Sequence, residues 1–374
     1  MKKNLLLIFT IASLSFTACN SNDEPTFAPG TDNFNAPGAY IVNAGQYSGN
    51  LIGTLGFYNY SDKSYSPDVF YSINKSYVGD TFNCGFISGS YIYLAVTDSK
   101  VIHVVDINTL KLVKTISTSS YNGGPRYFTE YNGYVYVTIF GESGLLCRIN
   151  PGTLTIDSNV AVGPYPEQTV TFNGNIYVAV SDGYNYENKN QESAIAIINP
   201  DDLSIVKKLT GVINPVQLST NGQKLFVEYN GWYDYDPATY TSIQKDYGIS
   251  EIVNGDEISE TIAEGNYMAI NGNLLYYIDA GWGKPEKNYY VYDIATHTST
   301  EWISSSQGVF DPTGNGIFVD NVTGDVFLIS NYENEYGYGS YDTPGYVKMF
   351  SADGTLKNQF TVGIGPTSIF FNYK

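Results

Sequence analysis

The chain has 374 residues, 43% of them hydrophobic, and sets 37 acidic residues against 19 basic ones for a net charge of −18. With so few Lys and Arg, and those scattered, nucleic acid is a poor partner, because gripping phosphate backbones takes clustered basic side chains. Three cysteines rule out a disulfide framework, so stability must come from apolar burial, for which a chain of this length has ample core.

At the start, Lys2 and Lys3 precede an apolar run over residues 5–16 and then Thr17-Ala18-Cys19. The run falls short of the about 20 apolar residues that a bilayer span needs, and small residues before a cysteine fit a lipoprotein signal peptide over residues 1–18. Cys19 would then be the lipidated N-terminus. A plain secreted precursor cut near Ala18 is the competing reading, and Phe16 stands where a lipoprotein signal usually has an aliphatic residue. Cleavage removes Lys2 and Lys3 and no acid, which takes the net charge to −20. Residues 19–38 carry Asn, Ser, Gly and Pro without an apolar period and read as a flexible tether. The globular body begins at residue 39 and runs to 374.

Within that body one unit recurs. Asn173-Gly-Asn-Ile-Tyr-Val-Ala-Val couples a tight-turn dipeptide to a β-branched and aromatic run. Variants are Ala39-Tyr-Ile-Val, Ser90-Tyr-Ile-Tyr-Leu-Ala-Val, Asn132-Gly-Tyr-Val-Tyr-Val, Asn221-Gly-Gln-Lys-Leu-Phe-Val, Asn271-Gly-Asn-Leu-Leu-Tyr-Tyr and Thr323-Gly-Asp-Val-Phe-Leu-Ile. The aligned aromatics are Tyr40, Tyr93, Tyr136, Tyr177, Phe226, Tyr276 and Phe327. Their spacing, roughly 40 to 55 residues, is the period of a propeller blade. The expectation is an all-β fold, a seven-bladed β-propeller with four-stranded blades.

In each repeat an inner strand comes first, as in Pro125-Arg-Tyr-Phe-Thr, Glu167-Gln-Thr-Val-Thr-Phe and Pro215-Val-Gln-Leu-Ser. The second strand follows the turn. Third strands such as Val101-Ile-His-Val-Val-Asp and Tyr289-Tyr-Val-Tyr-Asp end on Asp or Asn, which open the next turn by bonding their own backbone. Outer strands such as Ser204-Ile-Val-Lys-Lys-Leu carry lysines suited to an exposed edge. The first repeat offers residues 40–43, 55–60 and 69–73 as strands but no inner one, while residues 363–371 supply a spare inner strand at the end. That strand is expected to complete the first blade and close the ring.

Loops between second and third strands, and those leading into inner strands, open on one face of such a disc. They are long at 43–53, 181–193, 229–248, 279–288 and 330–345, and they hold Tyr47, Tyr184, Tyr186, Trp232, Tyr233, Tyr235, Tyr240, Trp282, Tyr332, Tyr336, Tyr338 and Tyr341 among acidic residues and glycines. Exposed Tyr and Trp give large contact area at low side-chain entropy. The competing reading is that these rings only hold the loops together. Trp232 and Trp282 are the expected anchors of a ligand, with Tyr184, Tyr186, Tyr233 and Tyr338 around them and Asp234 and Asp236 as acceptors.

Reactive chemistry is sparse. His103 sits in a third strand and His297 in a Thr-rich turn, neither with metal partners nearby; Gly141-Glu-Ser-Gly lacks the nucleophile-elbow pattern. Asp234 and Asp236 suit a solvated loop better than a calcium site. No catalytic residue, metal or cofactor is expected.

Several phrases resemble the YncE-like propeller lipoproteins of Bacteroidetes: Asn35-Ala-Pro-Gly-Ala-Tyr-Ile-Val-Asn-Ala-Gly, Leu55-Gly-Phe-Tyr-Asn, Val78-Gly-Asp, Gly124-Pro-Arg-Tyr, and Phe350-Ser-Ala-Asp-Gly-Thr-Leu through Val362-Gly-Ile-Gly-Pro. The chain departs from them at Ala44, where that family commonly has Glu, and at Thr81-Phe-Asn-Cys. The resemblance extends to BtuG-type members, which implies a surface lipoprotein of the outer membrane. Such a protein captures cobalamin or another corrinoid without enzymatic chemistry and passes it to a TonB-dependent transporter. A glycan receptor, or a protein-interaction scaffold docking on a transporter, is the alternative.

Overall fold

The computed structural model describes residues 34, 36–46, 52–185, 187, 192–238, 240–282, 287–310, 316–336 and 339–373. Seven four-stranded antiparallel sheets follow one another around a ring, and an extra two-stranded hairpin, Trp232–Asp236 with Thr241–Lys245, is inserted in blade 5. Cys19 and the rest of the proposed signal and tether up to residue 33 lie outside the described residues.

The repeating aromatic explains the ring. Seven buried apolar clusters each join two successive blades, and the seven aromatics fall one to a cluster. Each points from the second strand of its own blade toward the next, and all are 2% exposed or less. Three tyrosine hydroxyls go further and donate to the outer turn of the following blade: Tyr136 to the Pro200 carbonyl at 3.1 Å, Tyr177 to Gly255 at 2.9 Å and Tyr276 to Ala352 at 3.4 Å. Tyr40 donates instead to the Phe34 carbonyl at 2.6 Å, and the Tyr93 hydroxyl is buried with no hydrogen-bond partner among the described residues. A buried hydroxyl without a partner costs about 1–3 kcal/mol, a cost that Phe226 and Phe327 never meet.

Turn chemistry follows the sequence in part. Asn132-Gly133 and Asn173-Gly174 both adopt positive φ at each residue, as a two-residue hairpin turn requires. The two other Asn-Gly pairs of the recurring unit differ. Asn271 stays in the strand and Gly272 and Asn273 make the turn, while residues 221–224 form a four-residue loop in which Asn221 Oδ1 accepts from the backbone of Gln223 and Lys224. At third-strand ends, Asp106, Asn150, Asn199 and Asp293 each accept a backbone N–H two residues on.

The C-terminal strand Pro366–Asn372 pairs antiparallel with Gly38–Asn43 and is the inner strand of blade 1. Residues 363 and 364, expected in the same strand, end the outer strand of blade 7, Leu356–Ile364. The junction of blades 7 and 1 is sealed by Tyr58 stacked on Phe360 at 4.7 Å and by Tyr60 donating to Asp320 at 2.7 Å.

One expected strand is a helix. Val69–Asn74 is helical, and the outer strand of blade 1 shrinks to Tyr65–Ser66. Asp68 caps the helix by accepting from the Tyr71 backbone at 3.1 Å, and Val69, Phe70 and Ile73 pack on the core at a helical spacing that no strand alternation matches.

Candidate functional site

Inner strands begin irregularly. In six blades the inner strand carries one extra residue near its start, shifting register around Asn83, Arg126-Tyr127, Glu167-Gln168, Val216, Tyr267 and Thr367. Such bulges re-aim side chains and free backbone groups. Here those groups are tied across blades: Asn83 Nδ2 donates to the Arg126 carbonyl at 2.8 Å, Leu218 N to Gln168 Oε1 at 3.0 Å, and Gln217 grips both the carbonyl and the N–H of Met268. The result is a polar belt around the mouth of the central channel. Below it the channel, about 340 Å³, is walled by Phe86, Phe128, Met268 and Phe318.

Above the belt, on the long-loop face, lies a cleft of about 560 Å³. Its floor holds Arg126 and Glu167, whose side chains are 22% and 12% exposed and bond in fork geometry at 2.8 to 3.0 Å. The guanidinium also lies 4.9 Å over the Phe140 ring. Burial works against the arginine charge, but Glu167 and Tyr127 outweigh it, so Arg126 stays firmly protonated. Burial raises the Glu167 carboxyl and Arg126 pulls it back. Phe140, Tyr165 and Tyr184 wall the cleft, Tyr184 meeting Tyr165 edge-on at 4.6 Å and standing 67% exposed. The ionised groups lining it, Asp98, Lys100, Arg126 and Glu167, balance to zero.

Left-handed backbone recurs at the same rim. Thr81, Asn122, Tyr165 and Asn214, which lead into the inner strands of blades 2 to 5, have φ between +50° and +56° and all line the cleft. Asn tolerates this region; for Thr and Tyr it costs about 1–2 kcal/mol each. Tyr165 is held there by its own N–H on the Gly141 carbonyl at 2.8 Å and by Ser181 Oγ on its carbonyl at 2.7 Å.

Of the described residues expected as ligand contacts, Tyr184 alone lines this cleft; Trp232, Tyr233, Asp234, Asp236 and Trp282 do not. Trp282 is 61% exposed, and its backbone N–H donates to Gln244 Oε1 at 2.8 Å. Gln244 also donates to the Asn230 carbonyl, and Asn230 lines the cleft, so the hairpin, the Trp282 loop and the mouth are linked. Strand alternation divides the hairpin residues. Tyr233 shares a face with Gln244, is half-buried and has its phenol raised by burial, whereas Trp232, Asp234 and Asp236 project from the other face. Trp232 is half-buried at the hairpin root, its Nε1 donating to Asp246 at 2.7 Å. Asp236 is exposed and accepts from Ala238 N, and Asp234 is exposed as well. Tyr186 and Tyr338 lie outside the described residues. A second cleft, about 830 Å³, opens at the hairpin root between Val212, Asp246, Tyr247 and Ile262.

The reactive side chains of the sequence are otherwise occupied. His103 is buried, its ring nitrogens on Thr115 Oγ1 at 3.0 Å and the Val78 carbonyl at 2.9 Å, and burial lowers its pKa. His297 pairs with the Tyr292 hydroxyl at 2.8 Å. Cys84 and Cys147 are free, buried, and pushed up to about 12 by burial. Glu228, 2% exposed between blades 5 and 6, is pushed up to about 7 by burial, against backbone N–H groups of Tyr267 and Met268 that hold it down.

Arg126, Glu167 and Asn214 were missed as site residues, although a signal exists. Arg126 and Glu167 each directly follow a proline at or next to the start of an inner strand, as do Val216 and Thr367, and proline has no N–H to give the ladder where the bulge starts.

Among solved structures, hydrazine synthase of Kuenenia stuttgartiensis superposes with a TM-score of 0.55 at 14% identity, over 76% of this chain and 87% of that one. A candidate 6-phosphogluconolactonase from Bacteroides uniformis gives 0.54 at 13% identity, over 90% and 99%. The Pan2 WD40 domain of Neurospora crassa gives 0.53 at 9%, over 73% and 78%. At these identities the likeness is one of fold. No curated protein matches the sequence. The profile of a domain of unknown function, DUF5074, matches residues 37–368, and the chain belongs to that family.

Proposed function

We propose that this propeller is a non-enzymatic receptor of the bacterial cell surface that binds a small nutrient on its long-loop face and delivers it to a TonB-dependent outer-membrane transporter. A corrinoid, cobalamin above all, is the leading ligand, following the resemblance to BtuG-type proteins. A glycan is the second, since exposed rings beside hydrogen-bonding groups suit sugars too. The observation that carries the reading is the concave aromatic face: a cleft of about 560 Å³ walled by Phe140, Tyr165 and Tyr184, with Trp282 exposed on a linked loop. A volume of that size falls in the range of small-molecule sites. Acylation of Cys19 would hold the disc at the membrane through the 19–38 tether.

Cobalamin absorbs visible light, so retention on the purified protein through gel filtration tests the ligand directly. Trp282→Ala is expected to weaken retention by about 2 kcal/mol, roughly thirtyfold in Kd. A colourless wild-type peak would overturn the corrinoid reading. Export is checked in parallel, because Cys19→Ser should leave the membrane fraction; a variant still membrane-bound would refute the anchor.

A further inference from the structure

We propose that the mouth of the central channel binds a neutral, hydroxyl-rich ring of the pyranose class, held by the Arg126–Glu167 pair and the amides of Asn214 and Asn230 against the ring of Tyr184. The proposal rests on the long-loop face being a binding face, but not on a corrinoid being its ligand.

Hydrogen-bonding capacity at the mouth is left unspent. Arg126 uses Nε and Nη2 on Glu167, and its Nη1 makes no bond among the described residues although the residue lines the cleft. Asn214 is only 6% exposed and lines the same cleft. Its backbone N–H and carbonyl are used by Ser193 and Asn230, while its side-chain amide bonds to nothing among the described residues. The amide reaches the water of the cleft, so its donors and acceptor are available to a partner that comes from outside. Gly183 keeps the approach open, since a Cβ there would lie 3.3 Å from Asn214 Oδ1. Asn230 Oδ1 accepts from Asn266 at 3.1 Å, and its Nδ2 makes no bond among the described residues.

These groups select a chemistry. A guanidinium edge beside carboxylate oxygens offers donor and acceptor side by side, which is what two adjacent ring hydroxyls need, as each both gives and takes a proton. The asparagine amides supply further donors and an acceptor. The charges lining the cleft cancel, so no net charge there favours an anion or a cation. Tyr184, exposed and braced edge-on by Tyr165 and Phe140, presents a flat apolar surface for the C–H face of a sugar ring.

The test uses the purified protein with methyl α-glucopyranoside, methyl β-galactopyranoside, methyl α-mannopyranoside and their short oligosaccharides, read by saturation-transfer NMR and calorimetry. At least one is expected to bind, with Kd raised tenfold or more by Tyr184→Ala and by Asn214→Ala. Both weakened variants should melt as wild type does; the exposed Tyr184 serves as the readout if Asn214→Ala does not fold. Silence of the whole panel, or binding unchanged in Tyr184→Ala, would overturn the proposal. Cobalamin titrated on the same samples separates the readings. Glycoside binding without cobalamin binding sinks only the corrinoid reading, and cobalamin binding without glycoside binding sinks only this one.

Discussion

Glu228 is the residue whose environment makes the plainest claim. A carboxyl pushed up to about 7 in the fold, from an ordinary value near 4.5, favours the protonated native state. Its contribution to stability is therefore complete below pH 4.5 and is lost as pH rises through 7. The loss amounts to about 3 kcal/mol, since each pH unit between the unfolded and folded values is worth about 1.36 kcal/mol. Thermal melting of the wild type should fall between pH 5 and pH 8, and Glu228→Gln should flatten that fall and melt higher at pH 8. Equal pH slopes in the two proteins would refute the assignment. Arg126 and Glu167 are partly buried, and there the fork of hydrogen bonds keeps both charges in place. The residue scale thus holds two kinds of acid, one satisfied by an opposite charge and one only by backbone N–H groups.

At the scale of elements, the inserted hairpin of blade 5 is an addition to a blade already complete. The second and third strands pair directly, Tyr229 facing Gly248 across the base of the insertion. Gly231 at that base has φ +65° and packs so near the Lys245 carbonyl that a Cβ would clash with it, which marks a tight, built junction. Replacing residues 231–246 by a short turn should leave the ladder of blade 5 intact and shift the melting temperature by only a few degrees. Because the deletion removes Trp232 and the Gln244 bond that positions the Trp282 loop, cobalamin retention should drop. Unfolding of the deleted protein would show instead that the hairpin supports its blade.

For the whole molecule the decisive element is the last strand. Pro366–Asn372 pairs along the whole of Gly38–Asn43, and Phe370 stacks on the aligned Tyr40 at 4.9 Å. Thr367 Oγ1 reaches the carbonyls of Phe82 and Asn83 in blade 2, so a single strand ties the two chain ends and the next blade together. Truncation before Gly365 exposes one edge of blade 1 to water and opens the contact between blades 7 and 1. The truncated protein is expected to melt well below the full chain and over a broader range, which calorimetry would read; equal, equally sharp melting would refute closure by this strand.

Read alone, the sequence determined the architecture, because every part of it is written in local chemistry. The blade period shows in the seven aromatics, the third-strand ends in Asp106, Asn150, Asn199 and Asp293, and ring closure in a spare strand at one end against a missing one at the other. Residues 69–73 misled, since an apolar run of five fits strand or helix and only the Asp68 cap and packing on the core decided between them. The long-loop face was legible in part: long aromatic loops were plain, and Trp282 and Tyr184 are exposed on them. What lay beyond sequence was convergence. Period-2 alternation divides Trp232, Asp234 and Asp236 from Tyr233 once those residues form a strand, and local pattern gave no warning that they would. Arg126, Glu167, Asn214 and Tyr184 come from three successive blades, and only the closing of the ring, together with the bulges that turn inner-strand side chains upward, brings them to one cleft.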